Sequence, residues 1–280
     1  MRICDLHTHS VFSDGTFTPA EIIKEAENNN ISAVALCDHN TMSGCREFFK
    51  ASKNSNVIAV PGVEFSADFF GTELHILGLF IDEKYFDYID EKTQKYHELK
   101  EISNINLVKK LNENGYKIDY DYLKCKTPDG LVNRAHIASE LTKLGYTKSN
   151  DEAFKTILSK KFGLYVPPKR IASFEVLEIL NNINAVSVLA HPLLNLNKDK
   201  LNGFLKIAKE KGLKAIETRY SLFSEEDTVY LENLANEFGL LKSGGSDFHG
   251  LNKPDINLGT GKGNLIVPFE YYEKMHNLLK

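Results

Sequence analysis

Short apolar runs recur along the chain at 3–6, 33–37, 57–63, 74–81, 185–190, 215–218 and 240–243. Most are rich in Val, Ile and Leu without strict alternation, the pattern of parallel strands covered on both faces. Helical periodicity follows several of them. Thr18-Pro19-Ala20-Glu21 joins a capping hydroxyl, a proline suited to the first helical position and a glutamate three residues after the cap. A helix is predicted to start there, with Ile22, Ile23 and Ala26 inward. A second is predicted near Ser173, with Val176, Leu177 and Leu180 on one side. A third begins near Ser224, buries Leu231, Leu234 and Phe238, and stops at Gly239. Strand–helix alternation of this kind predicts an α/β fold, a seven-stranded barrel of the TIM type.

Residues 85–165 break the rhythm and read as helical: one long helix ending at Gly115, one over 131–144 ending at Gly145, and one over 151–162 ending at Gly163. The expected organisation is a barrel from 1–84 and 166–280, with 85–165 a small helical domain inserted between the fourth and fifth strands. Connections this long usually carry function when they have structure of their own.

Composition narrows the choice of partners. The 280 residues are 42% hydrophobic and 26% charged, an ordinary globular balance. Thirty-four basic against 38 acidic residues give a formal net charge of −4, and no long basic run is present, which argues against a protein that coats long nucleic acid. A small phosphorylated substrate stays compatible if bound cations supply positive charge. Cys4, Cys37, Cys45 and Cys125 form no C-x-x-C pair, and Cys4 and Cys37 sit in apolar runs as small buried hydrophobes do. The start of the chain carries no apolar signal region and no run of 18 apolar residues occurs. A cytoplasmic protein without a membrane partner is therefore expected.

The chemistry lies where strands end. The first run leads into Asp5-Leu6-His7-Thr8-His9, with Asp14 beyond; the second ends in Asp38-His39, the third in Glu64, the fifth in His191, the sixth in Glu217. The last is followed by Asp247-Phe248-His249, and the fourth carries His75 near its start, out of place for a C-terminal rim. Barrels of parallel strands gather catalytic groups at that rim. Side chains two apart share a face, so His7 and His9 can aim at one ion, and Asp247 and His249 likewise. Imidazoles with carboxylates suit zinc, manganese or iron alike. A lone strand histidine is more often structural than a ligand, and His97 and His276, in polar helical settings, are read that way. The conjunction is what counts: six of nine histidines and three carboxylates stand at separate strand ends.

The series D-L-H-T-H-S-x-F-S-D-G-T (5–16), C-D-H-N (37–40), G-V-E-F-S (62–66), A-H-P (190–192) and G-S-D-F-H (245–249) resembles the motifs of the PHP (polymerase and histidinol phosphatase) superfamily over nearly the whole chain. Val132 to Ala138, Glu152-Ala153-Phe154 and Tyr165-Val166-Pro167 resemble the insertion of a subgroup similar to bacterial 3′,5′-nucleoside bisphosphate phosphatases, some of which also trim short RNA from the 5′ end. Ala135 departs from it, standing where related proteins tend to carry proline. The resemblance implies a distorted seven-stranded barrel and three divalent ions: one held by His7, His9, Glu64 and Asp247, one by Asp14, His39 and His249, one by Glu64, His75 and His191, with Glu64 bridging. Direct attack of metal-activated water on phosphorus, without a covalent enzyme intermediate, is the expected chemistry.

Beside the ions, Asp38 and His249 are the catalytic candidates. Asp38 either orients a ligand imidazole, most simply His39 or a neighbour, or caps the turn at Asn40. Arg134 is the candidate for gripping a second phosphate, against a reading as a solvated helical arginine, and His136 accompanies it. Glu217 and Tyr220 are candidates to line the pocket, although Glu217 could instead pair with Arg219 or a lysine. Gly259-x-Gly261-x-Gly263 lacks a following helix and reads as a flexible loop or a plain turn. The alternatives are a histidinol-phosphatase-like monoesterase and a non-catalytic metal-binding interaction module.

Overall fold

The computed structural model describes residues 2–280. Eight strands form one sheet: β1 (Cys4–Thr8), β2 (Ala33–Leu36), β3 (Ile58–Phe69), β4 (Thr72–Leu79), β5 (Ile171–Ala172), β6 (Val186–Ala190), β7 (Ala215–Tyr220) and β8 (Leu241–Gly245). Seven follow one another in the order β1-β2-β3-β4-β6-β7-β8, and the two-residue β5 attaches to β3. The ends of this path meet. Asp247 N–H donates to the His7 carbonyl at 2.8 Å and His9 N–H to the Phe248 carbonyl at 2.9 Å, so the sheet curls into a distorted barrel. The seven apolar runs are its seven strands. β5 escapes a sequence reading because two residues display no period.

The expectation of all-parallel strands is corrected: β4 runs antiparallel to both β3 and β6. β3 and β4 form a long hairpin, paired from Gly62 with Leu79 to Phe69 with Thr72, and turned at Phe70-Gly71, both at positive φ. So short a connection can only reverse the chain, since a parallel return needs a dozen or more residues. The reversal puts the beginning of β4, not its end, at the rim. His75 pairs with Ser66 on one side and Ala190 on the other, next to His191, and is therefore in place. Glu64 lies within β3 rather than at its end, because the hairpin carries the strand on to Phe69.

Two register shifts lie near the same rim. β1 advances from Asp5 to Thr8 while β2 advances only from Val34 to Leu36. β7 advances from Glu217 to Arg219 while β8 moves only from Ser243 to Gly244. Bulges re-aim side chains, and Glu217 and Tyr220, an odd number of residues apart, both reach the cluster described below.

Helices Pro19–Asn28, Cys45–Ser52, Ser173–Asn182, Lys198–Glu210 and Glu225–Glu237 cover the outside. Ile22, Phe48, Leu177, Phe204 and Leu231 pack there in one cluster with Val34, Leu36 and Ile216 of the strands. Thr18 closes a capping box with Glu21, as its spacing predicts, and Ser224 closes a second one with Asp227. A second cluster joins Leu6, Ala35, Val60, Leu77 and Val188 to Phe269, Tyr271 and Met275 of the helix Phe269–His276, which closes the end away from the rim. Between β4 and β5 run helices Phe86–Glu113, Tyr120–Lys124, Arg134–Lys143 and Asn150–Lys155. The first is about 42 Å long at 1.5 Å per residue. Its Phe86 and Ile89 join the barrel's outer core, whereas Leu107, Val108 and Leu111 join a separate cluster with Ile137, Leu141 and Leu158.

Closure of the barrel depends on Gly245, where an added Cβ would lie 2.4 Å from the Cβ of His7. Gly245→Ala is expected to destabilise by about 1–3 kcal/mol, the usual cost of overpacking. Gly203→Ala, on an exposed helix with no atom within 4 Å of the new methyl, is expected to stabilise by about 0.5–1 kcal/mol. Urea unfolding of both variants checks this, and an unchanged midpoint for Gly245→Ala would contradict the tight approach of β1 and β8.

Candidate metal centre

All nine expected ligands converge on one end of the barrel. His7 Nε2 and His9 Nε2 are 3.1 Å apart, and each lies within 3.4 Å of Glu64 Oε2 and within 3.7 Å of Asp247 Oδ1. Asp14 Oδ1 is 3.3 Å from His249 Nε2, 3.7 Å from His39 Nε2 and 3.9 Å from His9 Nδ1. Glu64 Oε1 is 2.8 Å from His75 Nδ1 and 3.0 Å from His191 Nε2. Glu64 thus spends one oxygen on each of two groups. His39 stands between groups, with Nδ1 3.0 Å from Glu64 Oε2 and Nε2 turned to Asp14.

These separations fit shared cations. Ligand atoms about 2.0–2.2 Å from one ion lie roughly 3–4 Å from each other. Asp14 Oδ1, His39 Nδ1 and Glu64 Oε2 are buried and make no hydrogen bond, although His39 and Glu64 approach so closely. Lone pairs that crowd together without bonding each other converge on a missing third partner. Neutral imidazoles and carboxylates in this mixture suit zinc, manganese or iron, so the donor set fits divalent metal.

Partners outside the ligand set hold these side chains in place. His7 Nδ1 donates to Glu217 Oε1 at 3.0 Å and His249 Nδ1 donates to the Asp247 carbonyl at 2.8 Å, which frees Nε2 of each ring for an ion. Tyr220 donates its hydroxyl to Asp247 Oδ2 at 2.8 Å, and Lys253 reaches the same oxygen at 2.6 Å, leaving Oδ1 to face His7 and His9. Burial alone would raise the Glu64 carboxyl, but His75, His39, His7 and His191 outweigh it and hold the pKa well below the usual range.

Three sequence expectations need correction. Glu217 does not line the pocket and does not pair with Arg219: it is fully buried, and Arg219 binds Glu232 at 3.0 Å. It shares the inward face of Ala215, two residues before it on β7. Tyr220 is likewise buried and holds Asp247 rather than facing open space. Asp38 neither orients His39 nor caps Asn40. It accepts from Ser10 N–H at 2.8 Å, Ser10 Oγ at 2.6 Å and Ser13 Oγ at 2.6 Å, and reaches His9 only through Ser13, whose hydroxyl is 3.4 Å from His9 Nδ1. Adjacent residues diverge at a strand end, so Asp38 turns away as His39 faces the cluster. His97 is no ligand, as expected, but its Nε2 donates to the Asn40 carbonyl at 2.8 Å and ties the long helix to the loop bearing His39. The glycine-rich stretch is a plain turn, with Gly259 N–H donated to Asp5 Oδ2 at 2.7 Å and Asn257 paired with Gly261.

A cavity opens directly beside the cluster. Asp14, His39 and His75 of the cluster line it, together with Lys100, Arg134 and Arg170. Arg134 begins its helix with its guanidinium 4.2 Å from the centre of the Tyr165 ring, a stacked arginine rather than a solvated one. Lys100 donates to Asn133 Oδ1, and Arg170 meets Glu73 at 2.7 Å. His136 spends Nδ1 on the Asn133 N–H at 3.0 Å, capping the helix. Lys100, Glu73, Arg170 and Lys253 escaped the sequence reading. Glu73 alone carried a signal, since it stands two residues before His75 and shares its face.

Comparison with known proteins agrees with this geometry. Residues 5–166 match the PHP domain family. A 5′-3′ exoribonuclease of Haemophilus influenzae is 30% identical over 246 residues, 88% of this chain and 89% of its own. A 3′,5′-nucleoside bisphosphate phosphatase of Chromobacterium violaceum is 26% identical over 258 residues, 89% of this chain and 88% of its own. A crystal structure from Bifidobacterium adolescentis, assigned as a metal-dependent phosphoesterase, superposes with a TM-score of 0.87 at 26% identity, covering 99% of this chain and 96% of the other. A barrel closed by β1 and β8, histidines and carboxylates drawn together at its rim, and a family match running from Asp5 through the insertion lead to one conclusion: the chain belongs to the PHP domain family.

Proposed function

We propose that the protein is a metal-dependent phosphoesterase that removes the 3′-phosphate of nucleoside 3′,5′-bisphosphates and trims short 5′-phosphorylated RNA. The observation that carries this reading is a single cavity lined both by Asp14, His39 and His75 of the cluster and by the cations Lys100, Arg134 and Arg170. A ligand in that cavity can present one phosphate to the cluster and a second anion to these cations. The 5′-phosphate of a bisphosphate and that of an RNA end are the same group at the same distance from the next phosphorus. One grip therefore serves both substrates.

Three divalent ions, of manganese, iron or zinc, complete the site in this reading. His7, His9, Glu64 and Asp247 hold one, Asp14, His39 and His249 another, and Glu64, His75 and His191 the third. When bound, such ions lower the pKa of water and neutralise charge on the phosphoryl group. The chain's own residues do the rest. Arg134 offers paired donors to a phosphate from a guanidinium that sits over the Tyr165 ring. Lys253 and Tyr220 keep Asp247 turned toward the cluster. Residues 85–165 serve as the cap that supplies Lys100, Arg134 and Tyr165 to the cavity. A cytoplasmic setting goes with this reading, supported by four free cysteines.

Phosphate release with manganese present is the first test, across nucleoside 3′,5′-bisphosphates, mononucleotides, histidinol phosphate and short 5′-phosphorylated RNA. The bisphosphate is expected to lead, and Arg134→Ala to cut its kcat/KM by about 10- to 100-fold, the worth of a charge-assisted hydrogen bond, with little effect on monophosphates. Equal losses on both substrate types would contradict the second-phosphate role. His9→Ala combined with Asp247→Ala is expected to abolish release altogether, and full activity in that variant would remove the reading. A pH series examines Lys100, whose pKa burial pushes down to about 8 against the pull of Asp14. A lysine so lowered is charged below pH 8 and neutral above it. The bisphosphate KM should therefore rise as pH passes about 8 in the wild type and stay flat in Lys100→Gln. Parallel profiles would deny Lys100 a share in phosphate binding.

A further inference from the structure

Glu217 is a fully buried carboxylate, outside the nine ligands, and its two oxygens are committed to different ligand histidines. Oε1 accepts from His7 Nδ1 at 3.0 Å, and Oε2 accepts from the His191 backbone N–H at 2.6 Å. The ring of His7 stacks beside that of His191, with centroids 5.6 Å apart. On their other side, Glu64 meets the same pair, Oε2 lying 3.4 Å from His7 Nε2 and Oε1 3.0 Å from His191 Nε2. The result is a closed ring of Glu64, His7, Glu217 and His191.

His191 has a second reason to need support. Its backbone sits at φ 27 and ψ 56, a conformation rare for a residue with a side chain. Pro192 follows, and a residue before proline ordinarily stays extended. Such strain survives only where neighbours over-determine it. The short hydrogen bond to Glu217 is what holds the His191 amide. A buried carboxylate with no cationic side chain beside it is costly, and here each of its oxygens fixes one histidine of a different proposed ion site.

We propose that Glu217 is a positioning residue that couples two cation sites, fixing the tautomer of His7 in one and the strained backbone of His191 in the other, so that loss of its charge or its reach weakens both together. The inference rests on the metal reading above. It predicts a change in metal affinity rather than in the fold of the apoprotein, and a merely structural role would do the reverse.

The test compares the wild type, Glu217→Gln and Glu217→Asp. Bound manganese is counted by electron paramagnetic resonance during titration of the full chain, and melting temperatures are taken with and without the metal. Both variants are expected to bind manganese about 10- to 100-fold more weakly, the usual effect of removing a carboxylate behind a ligand histidine. At limiting manganese they should lack two ions rather than one. The metal-induced rise in melting temperature should shrink while the apoprotein's changes little, and kcat should recover toward wild type in excess manganese with KM unmoved. Wild-type titration curves in either variant, or an equal loss of melting temperature with and without metal, would overturn the coupling. A wild type that binds no manganese, zinc or iron would instead overturn the metal reading, and this inference with it.

Discussion

Buried negative charge is the constraint from which the architecture follows. Asp5, Asp14, Asp38, Glu64, Glu217 and Asp247 are each at most 8% exposed. Carboxylates out of water are tolerated only when paired, hydrogen-bonded or bound to metal. Asp5 and Asp38 are satisfied by hydroxyls and backbone N–H groups of Ser246, Gly259, Ser10 and Ser13. Asp14, Glu64 and Asp247 instead face six imidazoles, and some of their atoms find no partner at all. The rest of the rim is bent to make that convergence possible. β4 reverses to deliver His75, bulges in β1 and β7 re-aim their side chains, and Asn40, His191 and Asp247 all take positive φ. Backbone strain of this kind collects where a site over-determines its residues.

Much of this was legible in the sequence, for physical reasons. Buried strands must be apolar, so all seven barrel strands show as apolar runs. Thr18 and Ser224 cap helices by chemistry local to a few residues. Ligands stand at strand ends because the rim is where a strand stops being covered, and His7, His39, His191 and Asp247 could be read from that rule. Strand direction was less visible. Apolar content does not tell a parallel strand from an antiparallel one, so His75 looked misplaced until the β3–β4 hairpin was known. The brevity of the segment between those two runs was the available clue.

What the sequence hid depends on contacts between distant residues. Glu217, Tyr220 and Asp38 were recognised as belonging to the rim, but their partners were not, since each partner lies on a different part of the chain. Lys100 and Arg170 looked like ordinary surface cations among 34 basic residues. Only the folding of the long helix and of the segment before β5 against the rim brings both into the lining of the cavity. Together they explain how a chain with a net charge of −4 can present a local cationic surface to a phosphorylated ligand.

Anomalous diffraction from crystals grown with manganese examines the central claim most directly. Three peaks are expected: one among His7, His9, Glu64 and Asp247, one among Asp14, His39 and His249, and one among Glu64, His75 and His191. A map with no peak within coordination distance of Glu64 would contradict it.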